Sequence, residues 1–179
     1  IKSLLEGLGM TIYVPNSGKW KSYKTEGQNR EFLLEGIKEA MKIAKKEKEA
    51  HNIVIASSSF GCRVAASLWV ADKAEGVVPK IVMRKLICFG YPLFRPKPGQ
   101  DRIRVLKDLP ENLQVLMVSG TRDDFLHRDY QCLPRGIKAI EEIQSQSKAQ
   151  IQICSTNGKH NPLDGAKKDE KARVRSTVL

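Results

Sequence analysis

Apolar residues in this chain gather in short, nearly unbroken runs, separated by longer stretches in which they recur every three or four positions. The runs are Met10-Thr11-Ile12-Tyr13-Val14, Ile53-Val54-Ile55-Ala56, residues 84–90, residues 114–119 and Ile151-Gln152-Ile153-Cys154. Runs of this length predict strands, and their lack of strict apolar–polar alternation predicts burial on both faces. Pro15-Asn16-Ser17-Gly18 closes the first run, and the polar stretch from Lys19 to Gln28 predicts a loop. Helical spacing is predicted over residues 29–48, with Phe32, Leu33, Ile37, Ala40, Met41 and Ala44 on one face. Further helices are predicted over 61–73, 129–145 and 163–172. Strands alternating with amphipathic helices predict the α/β class: a mostly parallel sheet with helices on both faces. Little more than an ordinary crossover separates the third and fourth strands. That leaves room for a loop and a short helix but not for a lid domain, so any site at that edge is expected to be open.

With 179 residues, 41% of them hydrophobic, the chain is long enough for one domain with a sizeable core, spanning 1–179. It opens Ile1-Lys2-Ser3-Leu4-Leu5-Glu6, without an initiator Met or a signal-peptide pattern. This reads as the middle of an amphipathic helix, and predicts an N-terminally incomplete domain that lacks its first strands and leaves a sheet edge exposed. No apolar run approaches the roughly 20 residues that span a bilayer, so no membrane partner is expected.

The net charge is +11, spread over the helix bearing Lys38, Lys42, Lys45, Lys46 and Lys48 and over the tail from Lys167 to Arg175. Such a surface attracts acidic partners in general. Charge alone carries no sequence readout, aromatic residues are only 6%, and no RNA- or DNA-binding motif accompanies them, so nucleic acid is not an expected partner. The basic tail reads as a solvated face, with a protein partner left open. The cysteines, Cys62, Cys88, Cys132 and Cys154, have neither CxxC nor metal-ligand spacing. Cys88 and Cys154 read as small buried hydrophobes. An intracellular, reducing location, cytoplasmic or nuclear, is expected.

The candidate chemistry starts at Ser57-Ser58-Ser59-Phe60-Gly61, between a strand and a helix. A serine on such a turn is held up with its oxygen exposed, in the nucleophile-elbow geometry, whose motif is Gly-x-Ser-x-Gly. Here the first glycine is replaced by Ser57. Acyl transfer by serine needs a base to take its proton and an acid to orient that base. Both should lie at the C-terminal ends of later strands. Asp123 follows the fourth strand in Gly120-Thr121-Arg122-Asp123-Asp124, with Asp124 as a rival that reads better as a turn former or cap. His160 follows the fifth strand in a polar, glycine-containing loop. The other histidines are less well placed: His51 precedes the elbow strand, and His127 reads as a surface residue of the acid loop. The N–H of Phe60, at the start of a helix, is a candidate oxyanion donor. A second donor would normally come from an upstream loop that is not in the chain. Arg63 and Arg122 could bind a carboxylate or pair with a nearby Asp, and pairing is the expected role. Tyr91 either lines the substrate pocket or shapes its turn. A phosphate-binding reading of residues 57–61 is disfavoured, because neither Gly-x-Gly-x-x-Gly nor Gly-Lys-Ser/Thr occurs.

Ser59-Phe60-Gly61-Cys62-Arg63-Val64-Ala65, Cys88-Phe89-Gly90-Tyr91-Pro92-Leu93 and Ser119-Gly120-Thr121-Arg122-Asp123 together resemble a small α/β-hydrolase family. It is the dienelactone-hydrolase-like group that includes testis-expressed protein 30 and the hydrolase-like domain of NSL-complex subunit 3. The resemblance covers most of the chain. It implies an α/β-hydrolase fold, with Ser59 as nucleophile, Asp123 as acid and His160 as base. The resemblance supports the fold more strongly than any reaction, while the three candidate residues themselves predict hydrolysis of a small-molecule ester or thioester through an acyl-enzyme, with no metal or organic cofactor needed. Two positions depart from the family pattern: Ser57 for the first elbow glycine, and Cys62 for the second of a Gly-Gly pair. Cys62 reads as a packed, inert thiol. The alternative is a hydrolase fold kept as a protein-interaction module with impaired catalysis.

Overall fold

The computed structural model describes residues 1–8, 10, 12, 26–46, 54–75, 85–94, 102–126 and 141–178. Among them, four strands form one sheet: β1 (Val54–Ser58), β2 (Lys85–Phe89), β3 (Gln114–Gly120) and β4 (Gln150–Thr156). They lie in the order β1-β2-β3-β4, and every pairing is parallel. Most of the predicted strand 10–14, much of the predicted helix 129–145, and His51, His127 and Cys132 lie outside the described residues.

The apolar runs are explained by two cores, one on each face of the sheet. Ile55, Leu86, Cys88, Val115, Met117 and Ile151 point to one core. Their neighbours Ile87, Phe89, Leu116, Val118 and Cys154 point to the other. A strand buried on both faces needs apolar side chains at successive positions, which erases the two-residue alternation. Helices α2 (Glu26–Lys46) and α3 (Phe60–Glu75) cover the first face, followed by the short α4 (Ile103–Lys107). Helix α1 (Lys2–Glu6) and the C-terminal α6 (Lys168–Val178) cover the second, through Leu4, Leu5, Val174 and Val178. Met10 and Ile12 pack against that same core. Residues 141–146 are helical (α5) and add the buried Ile143.

Helix α3 lies against the sheet on one side and α2 on the other. Val64 to Trp69 are accordingly buried without interruption, as expected of a helix enclosed all round. The one hydroxyl in that stretch, Ser67, donates back to the Val64 carbonyl at 2.8 Å, the usual escape for a buried serine in a helix. Helix α2 uses Leu33, Leu34, Ile37 and Met41 against this core, close to the predicted face.

The last helix starts later than predicted, at Lys168 rather than Leu163. Gly165 has φ +76, which breaks any helix running through it. The acidic pair Asp169 and Glu170 then marks the true first turn. Glu170 accepts the N–H groups of Lys167 and Asn157, each at 2.7 Å. These bonds hold its carboxyl below the ordinary value of 4.5. A carboxyl with a lowered folded value stabilises the fold fully above its ordinary value, and that contribution fades as pH falls through the lowered one. Glu170→Gln should therefore lower stability at neutral pH and flatten the acid limb of the stability curve, the two proteins converging as pH falls through the lowered value, as read by thermal melts across that range.

Candidate active site

Parallel strands place all their C-terminal ends at one edge, and β1, β3 and β4 each deliver one polar residue there. Ser59 follows β1 directly, with φ 51, the one described non-glycine residue with positive φ. Such a backbone costs about 1–3 kcal/mol and persists only where its surroundings enforce it. Here the Ser59 N–H donates to the Phe89 carbonyl at 3.0 Å, and the Ser59 carbonyl accepts the Cys62 N–H at 3.0 Å. The turn is thus tied to β2 behind it and to α3 in front.

Neither departure from the elbow pattern disturbs this turn. Ser57 belongs to β1, paired with Cys88, and has no positive φ that would demand glycine. Cys62 is fully buried, with Sγ 3.2 Å from the Ser57 carbonyl and 3.7 Å from that of Phe89. Burial, with Cys88 beside it, pushes its thiol well above the ordinary range. Cys62, Cys88 and Cys154 are free and buried. Iodoacetamide at neutral pH should leave all three unmodified in the native protein and label them on unfolding, because burial closes their sulfurs to the reagent. Mass spectrometry of the digested protein reads this directly.

Asp123 lies in the turn after β3 and is completely buried. Its Oδ1 accepts the Phe125 N–H at 2.9 Å, and both of its carboxylate oxygens stand 3.0–3.1 Å from His160 Nδ1. His160 Nε2 in turn lies 2.6 Å from Ser59 Oγ. A carboxylate can only accept, so Nδ1 carries the proton, and Nε2 of the neutral ring is left to accept from the serine hydroxyl. The imidazole side chain is 30% exposed, and a short helix, α4, is what the described part of the β2–β3 connection contains. Both fit the expected open site. Asp124 is exposed and opens the single 3₁₀ turn Asp124–Leu126, so it takes the turn role expected of it.

Two glycines seat the histidine loop. Gly90 has φ +64, and a Cβ there would overlap the His160 carbonyl and come within 3.5 Å of Nδ1. A Cβ on Gly120 would overlap the Gly158 and Lys159 carbonyls. The loop therefore rests directly on bare backbone at the ends of β2 and β3. Backbone bonds fasten it: Thr121 N–H to the Thr156 carbonyl at 2.8 Å and Arg122 N–H to the Gly158 carbonyl at 3.0 Å. Thr156 Oγ1 also donates to the Pro162 carbonyl across the base of the loop.

One of the remaining expectations needs correction. Arg122 does not take the expected carboxylate partner; its Nε and Nη2 donate to the Asn157 carbonyl at 3.2 and 2.7 Å, another brace on the histidine loop. The Arg63 guanidinium stands 5.7 Å over the Phe60 ring. Tyr91 is fully buried in the first core, and its hydroxyl donates to the Arg102 carbonyl at 3.2 Å. That burial and that bond fit a role in shaping the turn after β2. Phe60 is the first residue of α3, where a helix supplies no acceptor of its own for the N–H. Gly90, Gly120 and Phe125 have places in the site that the sequence reading missed. Glycine at the C-terminal end of a strand was the available signal for the first two.

The fold matches known proteins. The alpha/beta hydrolase domain family matches over residues 17–175. A search of curated proteins gives no match. A crystal structure from Lactobacillus plantarum WCFS1, of a protein described as a candidate cell surface hydrolase, superimposes with a TM-score of 0.53 at 15% identity. The alignment covers 88% of this chain and 64% of that one, so the chain spans just under two thirds of its length. At such low identity this likeness supports the fold alone. Four parallel strands, helices on both faces and a family match over most of the length agree: the chain belongs to the alpha/beta hydrolase domain family.

Proposed function

We propose that this protein is a serine hydrolase that cleaves a small carboxylic ester or thioester through a covalent acyl-enzyme. The observation that carries this reading is the unbroken hydrogen-bonded line from Ser59 Oγ through His160 to the buried Asp123. Ser59 Oγ attacks the acyl carbonyl while His160 Nε2 takes its proton. His160 then returns that proton to the departing alcohol or thiol. Water, activated by the same nitrogen, releases the acid and restores Ser59. Asp123 fixes the tautomer and stabilises the imidazolium formed at each transfer. The Phe60 N–H, at the head of α3, is the proposed donor to the oxyanion, with the helix dipole behind it. No metal or organic cofactor enters this scheme. The motif resemblance further supports placing the chain in the dienelactone-hydrolase-like group of testis-expressed protein 30 and NSL-complex subunit 3.

The test is labelling of the purified protein with a fluorophosphonate, which reports an activated serine without knowledge of the substrate. Labelling that disappears in Ser59→Ala supports the reading. A folded protein that never labels would sink it and favour a hydrolase fold retained for protein interaction.

A further inference from the structure

We infer that Phe125 is a positioning residue that holds the His160 imidazole in the orientation needed between Asp123 and Ser59. The inference rests on the proposed roles of Ser59 and His160.

Two hydrogen bonds hold the imidazole, one at Nδ1 and one at Nε2. They fix the ring at two points along one line. Rotation about that line swings the ring plane while costing little in either distance. What opposes this swing has to touch the face of the ring. The Phe125 ring does so, with centroids 4.4 Å apart and planes inclined at 45°. Tilted aromatic pairs at about this distance attract each other beyond their mere burial. An apolar cover also keeps water off that face, which strengthens the hydrogen bonds beneath it.

The same residue is anchored on both sides of its peptide. Its N–H donates to Asp123 Oδ1 at 2.9 Å. Its carbonyl accepts the Phe94 N–H, from the segment beyond β2, at 2.8 Å. Phe125 therefore joins the β2 end, the carboxylate and the imidazole into one unit. When the ring presses on His160, it does so from a backbone already registered to Asp123.

Three variants test this: Phe125→Ala, Phe125→Leu and Phe125→Tyr. Each is measured for the rate of fluorophosphonate labelling at Ser59 and by ¹⁵N NMR of the imidazole. The chain has three histidines, and His160→Ala identifies the relevant signal. In the wild type, His160 should show a single tautomer protonated at Nδ1. In Phe125→Ala that signal should broaden towards tautomer averaging, and labelling should slow by about 5- to 10-fold, the scale of one lost aromatic contact. Phe125→Tyr should restore both, and Phe125→Leu should restore neither fully. If Phe125→Ala is unfolded, the Leu and Tyr variants carry the same contrast. A folded Phe125→Ala with a wild-type rate and a sharp Nδ1–H signal overturns the inference. So does slowing that leaves the NMR signal unchanged. If the wild type itself never labels, the hydrolase reading has failed, and the imidazole spectra still decide whether Phe125 orients the ring.

Discussion

Replacing His160 with alanine should slow the reaction of Ser59 with a fluorophosphonate by about 10²- to 10⁴-fold, the range contributed by a positioned general base. The prediction follows from one distance. At 2.6 Å, Nε2 is within direct reach of the Ser59 hydroxyl, so no intervening water can take its place. A serine hydroxyl without a base is a weak nucleophile at neutral pH. Ser59→Ala should abolish labelling outright, because no other atom in the line can form the bond. The ring and the hydroxyl are only partly buried, so neither change opens a large cavity, and both variants should melt close to the wild type. A His160→Ala protein that labels at the wild-type rate would show that the serine is not activated by this ring.

The second large effect is expected at a position that has no side chain of its own. Gly90→Ala should cut labelling by about 100-fold or more, the effect of displacing a reacting group by roughly 1 Å. The new methyl would fall on the His160 carbonyl, and backbone cannot swing aside as a long side chain can. The histidine loop must lift, carrying Nε2 away from Ser59. The left-handed backbone at position 90 adds about 1–2 kcal/mol of strain for a residue with a Cβ. Labelling and thermal melting measured together separate the two contributions. A stable Gly90→Ala with full labelling would mean that the loop has room this geometry does not give it.

The sequence made the catalytic candidates legible because each stands at the end of an apolar run. Such a run marks a buried parallel strand, and parallel strands bring their ends together. Ser59, Asp123 and His160 needed no more than that. The braces around them were not legible, because they arise from pairings between segments far apart in the chain. Phe125 meets His160 across 35 positions, and the Arg122 guanidinium finds a carbonyl at Asn157 rather than the aspartate beside it. Tyr91 left two readings open, lining the pocket or shaping the turn, because its burial and its bond to the Arg102 carbonyl depend on segments that pack against it in the fold. The late start of α6 depended on the conformation of Gly165 and on the double role of Glu170, both set by the loop that α6 follows.

The left-handed Ser59 sets endurance against activity at a single position. Glycine is the residue that would relax this turn most completely, and it is also a residue that deletes the proposed nucleophile. A chain shaped for persistence alone would gain by that exchange, gathering back the strain now stored beneath the hydroxyl. This chain carries the costlier residue at a place where its backbone objects.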